Sequence, residues 1–385
     1  MRFPEFTDEW ELHPTTDFFE FKNGLNPDSK RFGSGTKFIS VMDILNNRYI
    51  TYDKIKAFVE PKGNDLNEFG VNYGDVLFQR SSETLEDVGR ANVYLDKKTA
   101  LFGGFVIRGK KIGEYNPLFF RYLLSSPHAR KRIVVKGAGA QHFNIGQDGL
   151  SKISIFVPTT KEQERIAKLL DLIDERIETQ NRIIEDLKQL RSALIENMYS
   201  HMPTKCKVGD AIMQVSMRNR DNTYCTVLSV NNRRKFIEQS EQFEDRIVAS
   251  DDTSNYKVVK RNDFAYNPAR INVGSIARLT TFEDGIVSPM YICFQAKQQI
   301  LPEYLEYFFY TRYFHNEMLK RLEGSVRMCL SWDSLCNIPL TIPNIEQQRV
   351  VSRRISILTD KIIIEEKYKE YLMIQKHYLL KAMFI

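Results

Sequence analysis

At 385 residues the chain predicts two or three domains, at roughly 100–200 residues each, which excludes a single small module. Its 42% hydrophobic, 12% aromatic and 27% charged residues, with only 19 Gly and 13 Pro, describe a folded globular protein and exclude collagenous or low-complexity chains. A net charge of +6 with a pI near 8.8 is mild for a nucleic-acid binder, whose domains usually exceed about pI 9.

The opening MRFPEFTDEWELHP is polar and acidic, where a signal peptide needs a basic and then an apolar stretch. No apolar run approaches the ~18 residues of a membrane span, so a soluble, cytoplasmic protein with no membrane partner is expected. The five cysteines lie in the second half and none form CxxC, which predicts free thiols rather than a disulfide framework or a zinc site.

In chain order, short strands come first: KFISV at 37–41, DVLFQ at 75–79 and FGGFVI at 102–107. Arg80-Ser81-Ser82 follows the second of them. A basic block then runs from Arg108 to Lys136, where eight basic residues, including Lys110, Lys111, Arg130, Lys131, Arg132 and Lys136, face Glu114 alone. Inside it PLFFRYLLSS at 117–126 reads as a helix with proline at its first position; its aromatic stripe is expected to be core rather than a base-stacking platform. Gly139 is followed by Gln141, His142 and Asn144, and Pro158 marks a change of composition.

Residues 162–200 predict one long helix. Ile166, Leu170, Ile173, Ile177, Gln180, Ile184, Leu187, Arg191, Leu194 and Met198 alternate spacings of four and three, a heptad seam. At ~1.5 Å per residue it spans roughly 58 Å, or about 17 base pairs at 3.4 Å each. A second basic block follows, with Arg218, Arg220, Arg233, Arg234 and Lys235 against Asp221. Strands TVLSV at 226–230, DFAYN at 263–267 and VSPMYICF at 287–294 come next, then the helix PEYLEYFFYT at 302–311. From Pro343 a second long helix runs to the C-terminus with a less regular seam: Val351, Ile355, Leu358, Ile362, Leu372 and Leu379.

The chain is one unit used twice. Pro117 and Pro302, Tyr122 and Tyr307, Gly139 and Gly324, Asp148 and Asp333, and Pro158 and Pro343 are all 185 residues apart. Asp75 and Asp263 are 188 apart, and the Glu162-Gln163 dipeptide pairs with Glu346-Gln347 at 184. So long a period indicates a duplicated domain, since solenoid repeats run to about 50 residues. The expected fold is α+β: two globular mixed α/β domains separated by two long antiparallel coiled-coil helices, with an internal pseudo-two-fold. The boundaries read as 1–158 and 203–343 for the globular parts, with 159–202 and 344–385 for the helices.

Catalytic patterns are missing. There is no GxxxxGK[ST] and no strand followed by GxGxxG, and the six histidines never stand at metal-ligand spacing. Asn267-Pro268-Ala269-Arg270 lacks the residues that would shape an amino-methyltransferase pocket. What recurs in both copies is a set of polar side chains in loops: Arg80, Ser81, Ser82, Gln141, His142 and Asn144 in the first, Asn267, Arg270, Asn272, Ser325 and Arg327 in the second. Arginine pairs bidentately with guanine, and Asn or Gln with adenine, so these residue types suit base edges. The basic residues named above are the candidates for phosphates. A coiled-coil adaptor without DNA binding is the alternative.

Several stretches together resemble the specificity subunits of type I restriction-modification systems, along essentially the whole chain. They are Phe3-Pro4-Glu5-Phe6 with Trp10, Gly74-Asp75-Val76-Leu77-Phe78, Val157-Pro158 to Glu162-Gln163 with Ile166, Ile342-Pro343 to Glu346-Gln347, and Gly324-Ser325-Val326-Arg327 with Ser331-Trp332-Asp333. The resemblance implies a non-catalytic subunit whose two target recognition domains each read one half of a bipartite site on double-stranded DNA. It implies docking to two modification (methyltransferase) subunits and to restriction/translocase subunits. S-adenosylmethionine and ATP would bind those partners, with no cofactor or metal in this chain.

Overall fold

The computed structural model describes residues 2–139, 141–200, 205–232, 234–242, 252–324 and 328–384. By contacts the chain divides into two units, Met1–Arg182 with Lys367–Ile385, and Ile183–Glu366.

In the first unit, a four-stranded antiparallel sheet runs in the order Phe19–Asn23, Val106–Lys111, Val76–Gln79, Ala91–Val93. A three-stranded sheet sets Phe32–Ile39 between Phe58–Val59 and Leu101–Phe102. The expected strand FGGFVI is therefore two strands: the chain turns at Gly103-Gly104, where the Val106 N–H donates to the Gly103 carbonyl. Glu11–Pro14 pairs with Ser154–Val157 and closes the globular part just before the long helix. The helix Pro117–Ser125 starts where predicted, because proline occupies its first turn and the Asn116 side chain caps the Phe119 N–H. Its aromatic face is core: Phe119, Phe120 and Tyr122 are fully buried.

The second unit holds two four-stranded sheets. One runs Ile212–Val215, Ile292–Ala296, Phe264–Tyr266, Ile276–Arg278, and the other Lys235–Glu238, Val227–Asn231, Asp284–Val287, Lys257–Lys260. Here too an expected strand divides: VSPMYICF contributes to both sheets, through a turn in which the Tyr291 N–H donates to the Ser288 carbonyl.

Two long helices, Thr160–Ser200 and Ile345–Ala382, enter both cores. In the first unit Ile166, Leu170 and Ile173 from the start of one helix pack with Leu379, Met383 and Phe384 from the end of the other, around Trp10 and Phe119. In the second unit Ile195 and Met198 join Ile355 around Tyr304 and Phe308. Each core is thus completed by the helix end of the other copy. Phe384 meets Phe119 at a centroid distance of 5.5 Å, and Tyr199 meets Tyr304 at 4.9 Å; both residues of the first pair lie 185 from their counterparts. The helices run antiparallel, since Asp174 faces Lys376 in the first unit while Lys188 faces Glu366 in the second.

The seam is mostly as spaced in the sequence. Ile166, Leu170, Ile173, Ile184, Ile355, Ile362, Leu372 and Leu379 are buried, and Ile177, Leu187, Leu194, Val351 and Leu358 are half-buried. Ile195, beside Leu194, is the residue that enters the second core.

The repeat needs one correction. Gln163 Nε2 donates to the Pro158 carbonyl and its Oε1 accepts from the Asn116 N–H, both at 2.9 Å. The matching bonds in the second unit belong to Gln348, which donates to the Pro343 carbonyl at 2.9 Å and accepts from the Leu301 N–H at 2.8 Å. All three positions are 185 apart, so Gln163 corresponds to Gln348 and not to Gln347. Among the described residues, no helix is long and apolar enough to cross a membrane. The five cysteines are unpaired.

Candidate nucleic-acid interface

Two loops far apart in the first copy meet at one edge. Ser81–Ser82 pairs antiparallel with Phe143–Asn144, and the Ser81 hydroxyl donates to Asn144 Oδ1. The Ile145 N–H donates to the Arg80 carbonyl at 3.0 Å. Buried Gln79 supports the ribbon from beneath, donating from Nε2 to the Ser81 carbonyl at 2.8 Å. The loop is closed at its base by a bridge between Ala138 and Asn144. Gln141 and His142 stand exposed at its tip. Gly139 has φ +146°, and a Cβ there would lie 1.9 Å from the His142 carbonyl oxygen, so only glycine allows this tight return.

The second unit builds the same frame. A bridge joins Glu323 to Cys329, each 185 from its counterpart, and Gly324 repeats the positive φ at +120°. The Leu330 N–H donates to the Pro268 carbonyl at 3.1 Å, repeating the Ile145 to Arg80 bond at offsets of 185 and 188. The tips differ: Asn267 Oδ1 accepts from the Ala269 N–H at 3.1 Å, and Arg270 and Asn272 are exposed. Ser325 and Arg327 lie outside the described residues, as does Arg233.

The basic candidates separate into two groups. Lys110, Lys131, Lys136, Arg218, Arg220 and Arg234 are exposed, although Arg218 Nη1 also donates to the Asn255 carbonyl and Lys110 faces Glu20 at 4.0 Å. The remainder are engaged within the fold. Arg130 Nη2 donates to the Glu86 and Val88 carbonyls at 2.8 and 2.6 Å, and burial, helped by the neighbouring Arg90 charge, lowers its pKa to about 10. Arg132 donates to the Ser154 carbonyl at 2.7 Å and lies over the Phe156 ring. Lys111 reaches the Tyr115 carbonyl at 3.3 Å, and Lys235 binds Glu306 at 2.5 Å. Arg80 is half-buried, with Nη1 3.3 Å from the Gly104 carbonyl. Charge counted along a sequence cannot make this separation, because it carries no information on burial. Gln79 was equally invisible, being one polar residue in an otherwise apolar strand.

Among the described residues no group of three or more His, Cys, Asp or Glu could hold a metal ion. What the two frames offer is hydrogen-bonding side chains on rigid loops; exposed cations stand elsewhere on the same units.

Residues 7–189 match the family described as type I restriction modification DNA specificity domain, and the remainder of the chain is the second copy of that unit. Over residues 7–189, 183 of its 385, the chain is similar to the specificity subunits of type I restriction-modification systems. It is similar over 96% of its length to the MjaVIII specificity subunit of Methanocaldococcus jannaschii, at 22% identity and 90% coverage of that protein. It also matches the putative MjaX specificity subunit of the same organism, at 25% identity over 51% of this chain, and the EcoKI specificity subunit of Escherichia coli, at 26% over 52%. It spans about half the length of those two relatives, 47% and 43%. The fold matches the crystal structure of a type I S subunit from M. genitalium with a TM-score of 0.59 at 14% identity, covering 100% of this chain and 99% of that one. A second structure, from work on assembly and conformational transition of a type I system, matches with the same TM-score at 12% identity over 97% of each chain. The matched family is thus one of DNA specificity and not of methyl transfer or cleavage.

Proposed function

We propose that this DNA specificity subunit reads two different short sequences, one with each β-rich part, as halves of a single bipartite target. The observation that carries this is the loop frame built twice with different tips: Arg80, Ser81, Gln141, His142 and Asn144 in one unit, Asn267, Arg270 and Asn272 in the other. Rigid frames hold the side chains; unlike tips give unlike base readout. The exposed cations of the same units grip phosphates without regard to sequence and fix the register on the duplex.

The chain contributes no catalytic group of its own in this reading. Methyltransferase subunits dock along the long helices, bring S-adenosylmethionine, and modify the site that the loops select; restriction/translocase subunits bring ATP. Supporting the docking is a stripe on the helix Ile345–Ala382. Val350, Ile357, Ile364, Tyr371 and Tyr378, every seventh residue, are between 50% and 67% exposed. Buried Gln348, Ile355 and Ile362 each stand two residues before a member of the stripe, about 200° round the helix. A helix apolar on two faces has a second partner to cover.

The test is the methylated motif in cells that express the assembled complex. Asn144→Ala relaxes one half-site by about tenfold or more and leaves the other intact, while Arg270→Ala does the reverse, since a good base contact discriminates by about 1–3 kcal/mol. Equal losses at both half-sites from either substitution would refute the division.

A further inference from the structure

Asp174, on the helix Thr160–Ser200, is a charged residue at only 8% exposure. Its Oδ2 accepts from Tyr122 Oη at 2.9 Å and from Arg121 Nη1 at 3.2 Å, and its Oδ1 from Lys376 Nζ at 2.5 Å. Three elements of the first unit therefore meet at one carboxylate: the globular part's helix Pro117–Ser125, the start of the first long helix, and the end of the second. Burial pushes this carboxyl upward, but the Lys376 and Arg121 charges outweigh it and hold it below the usual range, so it stays ionised. One turn earlier Arg48 Nε donates to Asp171 Oδ1 at 3.0 Å and its Nη2 to the Asp171 carbonyl at 2.9 Å, adding a second tie between globular part and helix.

The duplication repeats these positions but not their charges. At an offset of 185, Tyr122 becomes Tyr307, Arg121 becomes Glu306, Asp174 becomes Thr359, and Lys376 answers to Arg191. Those four residues line one cavity of about 630 Å³ in the second unit. There the buried carboxylate belongs to the globular part: Glu306 is bonded by Lys235 at 2.5 Å, Arg278 at 2.9 Å and Tyr310 at 2.9 Å, all from the same β-rich part. In the first unit the acid ties the globular part to both long helices; in the second it ties the globular part to itself.

We infer that Asp174 is a positioning residue that holds the first reading edge at a fixed register on the paired long helices, and that the sharpness of spacer selection in the bipartite target depends on it. This rests on the bipartite reading proposed above. The mechanism is geometric: a half-site is read at a fixed distance along the duplex only if the reading edge cannot slide on its support. Arg121, Tyr122 and Lys376 constrain the carboxylate from three directions, which a single surface ion pair does not do. Glu306, with partners confined to its own part, stabilises that part without setting its register.

The experiment sequences methylated bases in cells expressing the complete complex with wild-type, Asp174→Asn, Lys376→Met, Lys376→Arg or Glu306→Gln subunit. The wild type methylates one spacer length. Asp174→Asn and Lys376→Met raise methylation at sites with the spacer one base pair longer or shorter by about tenfold, consistent with the sensitivity of catalysis to small misplacements, while both half-sites stay unchanged. Lys376→Arg, which keeps the ion pair, retains the wild-type spacer, and so does Glu306→Gln despite its lower melting temperature. If Asp174→Asn does not fold, Lys376→Met, which leaves the Arg121 and Tyr122 bonds in place, decides the matter. A single unchanged spacer in Lys376→Met or Asp174→Asn overturns this inference alone. A wild-type motif with no fixed spacer overturns the bipartite reading and this inference with it.

Discussion

Gln163 and Gln348 show how a single side chain can define where a domain ends and a helix begins. Each sits on the first turn of a long helix and reaches back to the proline carbonyl before it, and each accepts from the N–H at the start of the globular part's helix. Gln348 also donates to the Gln299 carbonyl at 2.9 Å. Replacing it with leucine leaves a backbone N–H and two carbonyls without that partner, at about 1–3 kcal/mol for a buried group left unpaired. Thermal unfolding of Gln348→Leu and Gln163→Leu should each show destabilisation of about 2–4 kcal/mol, against little change for exposed Gln347→Ala. A large loss from Gln347→Ala would restore the 184-residue pairing. That pairing is what letters suggest, because Glu-Gln recurs at 346–347; the correct one follows hydrogen bonds, which the letters do not record. Glu162, whose counterpart at 185 is Gln347, is fully buried and receives Arg2 and Trp10, so two neighbouring positions of one motif have unlike roles.

At the scale of elements, the two long helices differ in how plainly they can be read. The first has one apolar seam among polar residues, so its spacing of four and three stands out. The second carries Val350, Ile357, Ile364, Tyr371 and Tyr378 on one face and Ile355, Ile362, Leu372 and Leu379 on another, and two overlapping periodicities blur each other. Its irregular seam is that of a helix apolar on two faces, and the docking proposed above gives the exposed face a partner. Ile364→Glu with Tyr371→Glu should therefore leave the unfolding free energy of the isolated subunit within about 0.5 kcal/mol of wild type, since both residues are exposed. Co-purification with methyltransferase subunits should be lost. Retained assembly would show that the partner docks elsewhere. Strand breaks were less legible for another reason: FGGFVI and VSPMYICF are apolar throughout, and whether such a run stays in one sheet depends on what packs beside it.

Across the whole chain, the duplication organises everything else, and its physical content is an exchange: each globular core is completed by Phe384 or Tyr199 from the other copy's helix. Deleting one heptad from each long helix keeps the seam in phase and shortens it by about 10 Å, or about three base pairs along a duplex. The methylated motif of such a variant should keep both half-sites and lose about that much spacer; changed half-sites would show that the helices also shape the reading loops. The sequence by itself determined the period of 185, the helical seams and the proline starts of the globular helices, because each depends on local backbone limits or on periodicity along one element. Only the tertiary structure decided that Ser81 meets Asn144, that Arg130 and Arg132 are engaged in the fold while Lys131 and Lys136 are exposed, and that Asp174 gathers Arg121, Tyr122 and Lys376. Those contacts join residues tens to hundreds of positions apart, and neither burial nor the partner of a charge is a property of its own neighbourhood in the chain.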